Sequence, residues 1–122
     1  MSYEISRHKD FDVSIKRLAK RYRSMADDYE DFLESLEKNP FQGAELCPGI
    51  RKIRMSIASK GRGKSGSARV ITANAIIAEH EGRIALLTIY DKEDASRSYL
   101  FVYLRDRQWE YVERYEQTDT EI

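Results

Sequence analysis

The stretch that decides the fold reads ARVITANAII at residues 68–77, EHEG at residues 79–82 and RIALLTIY at residues 83–90. The first and last pieces are rich in β-branched residues and have the length of strands. The polar piece between them contains a glycine and is typical of a hairpin turn. This segment therefore predicts two antiparallel strands at the centre of a sheet.

Two amphipathic helices precede this hairpin. Apolar residues recur at helical spacing over residues 11–22 and again over residues 25–36. Asp10 is the expected N-cap of the first helix. The pair Asn39-Pro40 ends the second helix, because the residue before a proline avoids helical geometry. We therefore expect an αα-hairpin.

Strand patterns lie on both sides of the helices. Residues 3–8, which include His8, predict a first strand, and residues 50–57 predict a strand with a one-residue irregularity. Residues 41–49 are expected to form a loop, and residues 58–67, rich in glycine, serine and basic residues, a turn. The order β-α-α-β-β-β predicts an α+β fold with the helices on one face of a twisted antiparallel sheet.

The C-terminal element is ambiguous. If residues 97–116 form a strand, their apolar side chains fall on both of its faces. If they form a helix, several of these side chains share one side of it. Both structures stay open at this point, and fraying is expected beyond Gln117. We expect one domain over residues 1–122, with residues 93–122 as a divergent tail.

Composition indicates a cytoplasmic protein without a membrane span. No apolar run approaches the roughly 20 residues that a span needs, and the first residues are charged where a signal peptide is apolar. The single cysteine, Cys47, cannot form an internal disulfide, which fits a reducing compartment. The sequence shows no cluster of metal-ligand type, so neither a metal nor a cofactor is expected.

The net charge is zero, but the charges are unevenly distributed. Between Leu46 and Ala78 there are seven basic residues and no acidic one, whereas acidic residues predominate from Asp106 onward. A basic patch on a neutral protein can attract phosphates locally. The seven basic residues are Arg51, Lys52, Arg54, Lys60, Arg62, Lys64 and Arg69.

An ordered set of motifs resembles the RelE/HigB superfamily of toxins from type II toxin–antitoxin systems. None of the motifs is specific alone, but the set spans residues 3–92 at family-like spacings. The motifs are F-x-x-x-x-K-x-L-A-K-x-Y at residues 11–22, L-x-x-N-P-F-x-G at 36–43, KIR at 52–54, GKSGSARVI at 63–71 and LLTIYDK at 86–92.

The resemblance implies a fold and a function. Family members have two N-terminal helices packed on a twisted antiparallel sheet. Those characterised as toxins are mRNA interferases that cleave mRNA at the ribosomal decoding site, which inhibits translation and arrests growth. A cognate antitoxin, often with a helix-turn-helix region, holds them inactive. The expected partners are therefore this antitoxin, mRNA and the ribosome.

Three basic residues are the main candidates for catalysis. Such RNA cleavage requires proton transfers at the 2′-hydroxyl and the leaving 5′-oxygen, and stabilisation of the phosphorane charge. By resemblance, Arg69 occupies the position of an arginine that contacts the scissile phosphate. Lys52 and Arg54 are two residues apart in a strand and share the face opposite Ile53. Each of the three could instead be a solvated residue on the outer face of the sheet.

Two tyrosines complete the catalytic candidates. Tyr90 could stack on a base, or it could be an aromatic residue at the edge of the core. Tyr99 matches, by resemblance, a tyrosine that some relatives place beyond the last strand as an acid–base or stacking group. His8 and His80 fall outside the matched core, so a two-histidine mechanism is not expected. His80 is more simply a solvated turn residue.

Four further cations are expected to bind RNA. Three of them lie in the glycine-rich turn and one follows the last matched strand; solubility alone is the simpler alternative for those in the turn. The residues are Lys60, Arg62, Lys64 and Lys92.

The sequence thus predicts a metal-independent endoribonuclease toxin. The tail departs from the family pattern, since SYLFVYLRDRQWEYV at residues 98–112 replaces a polar, helix-forming stretch. The first alternative is therefore a catalytically inactive or ParE-like protein of this fold that binds a partner without cleaving RNA. ParE-like toxins act on gyrase and lack the basic set, so the basic centre argues against them. The second alternative is an unrelated small α+β binding module.

Overall fold

A computed structural model describes residues 2–60, 66–78, 81–92, 97–103 and 109–115 of the chain. The chain divides into two compact units, Met1–Lys92 and Glu93–Ile122. The boundary coincides with the predicted start of the divergent tail.

The first unit begins with a strand and two helices, β1 (Ser2–Arg7), α1 (Lys9–Arg21) and α2 (Met25–Lys38). The sequence-based assignments of His8 to the strand and of the N-cap to Asp10 were wrong. His8 is the N-cap of α1, and its Nδ1 accepts a hydrogen bond of 3.2 Å from the backbone N–H of Asp10. Asp10 lies instead in the first turn, where a carboxylate suits the helix dipole.

Four more strands complete a five-stranded sheet. They are β2 (Ala44–Cys47), β3 (Ile50–Ser56), β4 (Ser67–Ala78) and β5 (Glu81–Asp91), and the order in the sheet is β1-β5-β4-β3-β2. Strands β2 to β5 pair antiparallel, whereas β1 pairs parallel with β5. The α+β class is confirmed, and the sheet is mixed because the helices carry the chain away from β1 before the hairpins begin.

The loop expected at residues 41–49 contains β2, which the sequence did not predict. Its pairing with β3 includes a register shift between Glu45 and Cys47, so the irregularity expected in β3 lies in its partner. Only four residues long and mostly exposed, β2 has too little apolar alternation to be recognised as a strand.

The core of this unit lies between the two helices and one face of the sheet. Phe11 and Phe32 from the helices pack with Ile53 of β3 and Val70 of β4. In β5 a register shift leaves Leu87 without a partner in β4, between the pairs Thr72–Leu86 and Ile71–Thr88. Because this bulge resets the alternation, Leu86 and Ile89 both belong to the core.

The second unit is an antiparallel pair, β6 (Arg97–Tyr103) and β7 (Trp109–Tyr115). The ambiguity in the tail is therefore resolved in favour of strands, in keeping with its aromatic and β-branched residues. None of the helices in the described ranges is long and apolar enough to span a membrane.

Candidate functional site

Four predicted site residues lie together on the face of the sheet opposite the helices. In the strand register Arg54 of β3 is opposite Arg69 of β4, and Arg69 is opposite Tyr90 of β5. Directly opposed residues share a face, with Cβ atoms about 5 Å apart. Lys52 lies two residues before Arg54 and shares its face. Strand pairing therefore produces a compact group of three cations and one tyrosine.

These side chains differ in exposure. Arg54 is exposed and Lys52 half-buried, whereas Arg69 and Tyr90 keep only 7% and 6% of their surface exposed. The Arg69 Nη1 donates a hydrogen bond of 2.6 Å to the Ser67 hydroxyl, which lies two residues earlier on the same strand face. It also donates to the Ala68 carbonyl at 3.4 Å. Its guanidinium is therefore held in one orientation.

The three cations line a concave site of about 360 Å³, which we call the cationic pocket. This volume lies near the lower end of the range for small-molecule sites, about 300–1,000 Å³. Planar guanidinium groups and an ammonium group match the geometry and charge of phosphate oxygens. The pocket can therefore hold an anionic group. The lining residues are Gln42, Gly43, Ala44, Lys52, Ile53, Arg54 and Arg69.

A second polar group lies on the opposite face and was missed by the sequence analysis. Asp91 is 1% exposed and accepts hydrogen bonds from Arg21 Nη1 at 3.2 Å, Tyr22 Oη at 2.5 Å and Lys60 Nζ at 2.9 Å. The Lys60 Nζ also lies 5.3 Å from the centre of the Tyr22 ring, within cation–π range. We call these four residues the Asp91 cluster.

Burial and charge act together on Tyr22. Removal from water raises the pKa of the Tyr22 phenol, and the hydrogen bond to Asp91 and its negative charge raise it further. The positive charges of Lys60 and Arg21 act in the opposite direction but do not reverse the shift. Tyr22 is therefore a protonated donor at neutral pH, which suits a structural contact between α1 and β5.

The remaining predicted residues are distributed over the chain. Lys60 ends a short 3-10 helix (Ala58–Lys60), and its side chain is 6% exposed because it reaches Asp91. Lys92 follows β5 and is half-buried. Tyr99 lies in β6 of the second unit, and its side chain is outside the described part. Arg62, Lys64 and His80 lie outside the described residues.

The sequence analysis missed Asp91, Gln42 and Ala44. Asp91 had a signal that could have found it, because a carboxylate directly follows the apolar run LLTIY at residues 86–90. Gln42 and Ala44 carry no such signal, because their place in the pocket depends on the unpredicted strand β2. Cys47, at the end of that strand, is exposed.

Within the described ranges, no group of three or more His, Cys, Asp or Glu side chains is placed to hold a metal ion. No known protein-family model matches the chain.

Proposed function

We propose that this protein is an endoribonuclease toxin of the RelE/HigB type, which acts in the cytoplasm on mRNA in translating ribosomes and is neutralised by a cognate antitoxin. The observation that carries the proposal is the strand register, which aligns Arg54, Arg69 and Tyr90 beside Lys52 on one face. The motif resemblance at residues 52–54, 63–71 and 86–92 supports the same function.

The pocket offers the groups that the reaction needs without a metal ion. Arg54 and Arg69 present N–H donors to the oxygens of the phosphorane, where negative charge develops. The Lys52 ammonium donates a proton to the leaving 5′-oxygen, and the proton of the 2′-hydroxyl passes to water. Tyr90 lies opposite Arg69 in the strand register and is 6% exposed, so it supports the arginine from β5 and offers little ring surface to a base.

Induced expression tests this function directly. We expect the wild-type chain to arrest growth and to produce new mRNA 5′ ends in primer extension. Arg54→Ala should reduce cleavage on the order of 10²–10³-fold, since it removes donors to the transition state. Arg54 is exposed, so this variant should fold normally.

Two further variants make the test specific. Arg69→Lys keeps the charge but loses the planar fork of donors, so cleavage should fall while phosphate attraction persists. Arg17→Ala removes an exposed arginine from α1 and serves as the matched control, with unchanged cleavage. Normal growth and intact mRNA at good yield of folded wild-type protein would refute the ribonuclease function.

One observation favours a second candidate function, that of a RelE-fold protein that binds RNA or a partner without cleaving it. Arg69 is almost fully buried and donates to Ser67, an arrangement that also serves to stabilise β4. Retained RNA binding together with intact mRNA would favour this candidate over the enzyme.

A further inference from the structure

One side of the cationic pocket is formed by residues 42–44. We call these residues, together with residues 40 and 41 that lead into them, the pocket wall. This segment lies directly against β3. Gly43 has φ +81°, and a Cβ at this position would lie 2.3 Å from the Lys52 carbonyl oxygen and 2.9 Å from Ile53 Cγ1. Only glycine fits this backbone conformation and this approach. The wall is therefore fixed at the edge of the pocket.

Side chains from three elements hold the pocket wall in place. Asn74 of β4 donates through Nδ2 to the Pro40 carbonyl at 2.7 Å. Gln42 donates through Nε2 to the Ser35 hydroxyl of α2 at 3.1 Å. Pro40 itself is buried. A segment anchored in this way is preorganised, as a surface that discriminates between ligands must be.

Arg51 of β3 supplies the third anchor. Its Nε donates to the Gln42 carbonyl at 2.9 Å, and its Nη2 donates to the Gly43 carbonyl at 2.9 Å. The guanidinium also lies 3.8 Å from Glu45. Arg51 therefore differs from the cations of the pocket, because its donors position the wall.

Ala44 presents the wall to the pocket. It is paired with Lys52 in the register of β2 and β3, so its methyl group shares the face of Lys52 and Arg54. The next residue, Glu45, is paired with Arg51 and lies on the opposite face. Ala44 is exposed and small, so the size of the side chain at this position sets the width of the pocket.

We propose that the pocket wall selects the nucleotide next to the scissile phosphate, an inference that rests on the proposed function for the identity of the ligand. The phosphate is held by Lys52, Arg54 and Arg69, and the base lies against residues 42–44. Ala44 determines specificity by its size, and Arg51 is a positioning residue that acts through the carbonyls of the wall. The site takes a single ribonucleotide, in keeping with a volume of about 360 Å³.

An NMR titration of the full chain with each of the four ribonucleoside 3′-monophosphates measures the base preference of the pocket wall. The measurement does not require cleavage. Ala44→Leu narrows the pocket, so purine nucleotides should lose about tenfold more affinity than pyrimidine nucleotides, a discrimination typical of apolar pockets. Ala44→Ser changes the size little, and Ala19→Leu places leucine at an exposed position of α1, away from the pocket. Both controls should keep the wild-type preference.

The variant Arg51→Ala tests whether Arg51 positions the pocket wall or only stabilises the fold. The preference among the four bases should be lost, whereas the affinity for inorganic phosphate should stay within about twofold of wild type, because the three pocket cations are unchanged. Arg51→Lys, which cannot reproduce the two parallel donations, should restore the preference only in part.

The outcomes distinguish the wall from the proposed function. If Ala44→Leu alters base preference while wild-type mRNA stays intact, the ribonuclease function fails and the selecting wall is supported. If cleavage occurs and Ala44→Leu leaves both nucleotide preference and cut-site composition unchanged, the wall inference is overturned. Absence of nucleotide binding by the wild-type chain would also overturn it.

Discussion

The cationic pocket and the Asp91 cluster lie on opposite faces of the same sheet and contain similar residues. Each contains basic side chains and has a tyrosine in it or beside it. Tyr90, next to the pocket, and Asp91, in the cluster, are consecutive in β5. In the Asp91 cluster a buried carboxylate accepts hydrogen bonds from Arg21, Tyr22 and Lys60. Among the described residues, those that line the pocket are three cations, a glutamine and small or apolar residues.

This difference shows that the neighbour of a basic residue decides its role. Lys60, Arg51 and Arg54 belong to the same basic segment of the sequence. In the structure Lys60 neutralises a buried acid, Arg51 holds backbone carbonyls, and Arg54 lines the pocket. The number of basic residues in this segment is therefore larger than the number of cations that can bind an anionic ligand.

The largest loss of stability is expected from a variant that breaks the Asp91 cluster. Asp91→Asn removes the charge that compensates the buried Lys60 ammonium, so the free energy of unfolding should fall by about 3–5 kcal/mol. Asp12→Asn is the matched control, because the Arg7–Asp12 pair has side chains 52% and 42% exposed and should contribute at most about 1 kcal/mol. Urea unfolding measures both. Equal small losses would show that the cluster is not a buried ionic contact.

An intermediate effect is expected when one cation is removed from the Asp91 cluster and, in a second variant, one from the cationic pocket. Lys60→Met should lower the free energy of unfolding by about 2 kcal/mol, since it removes a charged hydrogen bond, yet leave RNA cleavage per folded molecule unchanged. Arg54→Met should do the reverse, with stability within about 0.5 kcal/mol of wild type. Cleavage assays at matched folded concentration separate the two. Loss of RNA affinity in folded Lys60→Met would favour the sequence-based expectation that Lys60 binds RNA.

The smallest effect concerns pH. The Tyr22 pKa is raised above its ordinary value of 10.0 in the folded state. As the pH rises above this value, the unfolded chain loses the proton first, so the stability that Tyr22 contributes is present at lower pH and declines in alkali. Tyr22→Phe should be about 1.5 kcal/mol less stable near neutral pH.

The difference in unfolding free energy between wild type and Tyr22→Phe should then shrink above about pH 10. Urea unfolding at several pH values measures it. A difference that is constant or grows in alkali would contradict the raised pKa of Tyr22, and with it the partly buried phenol–carboxylate contact.

Most of the fold could be predicted from periodicity. The helices and the strands β3, β4 and β5 have strong apolar patterns, so their type and order were predicted correctly. The bounds of α1 and the strand β2 were not, because a capping imidazole at His8 and a four-residue edge strand leave little trace in a pattern of apolar residues. The tail became definite only in the structure, since its apolar residues suit two periods equally.

The site was partly predictable for the same reason. Alternation alone places Lys52 and Arg54 on one face, and it was sufficient for that pair. That Arg69 lies opposite Arg54 could not be predicted in the same way. It follows from the register between β3 and β4, which depends on the whole hairpin. The separate role of Lys60 depends on Asp91, 31 residues later in the chain, and no local pattern reports such a contact.

The parallel pairing of β1 with β5 has a consequence for folding during synthesis. Ser2 pairs with Glu81 and Arg7 with Leu86, so every partner of the first strand is made 79 residues later. At about 5–20 residues per second the ribosome needs several seconds to supply that partner. Within the five-stranded sheet, β1 therefore waits longest for its partner. Strands β2, β3 and β4 can pair with one another before that partner has been made.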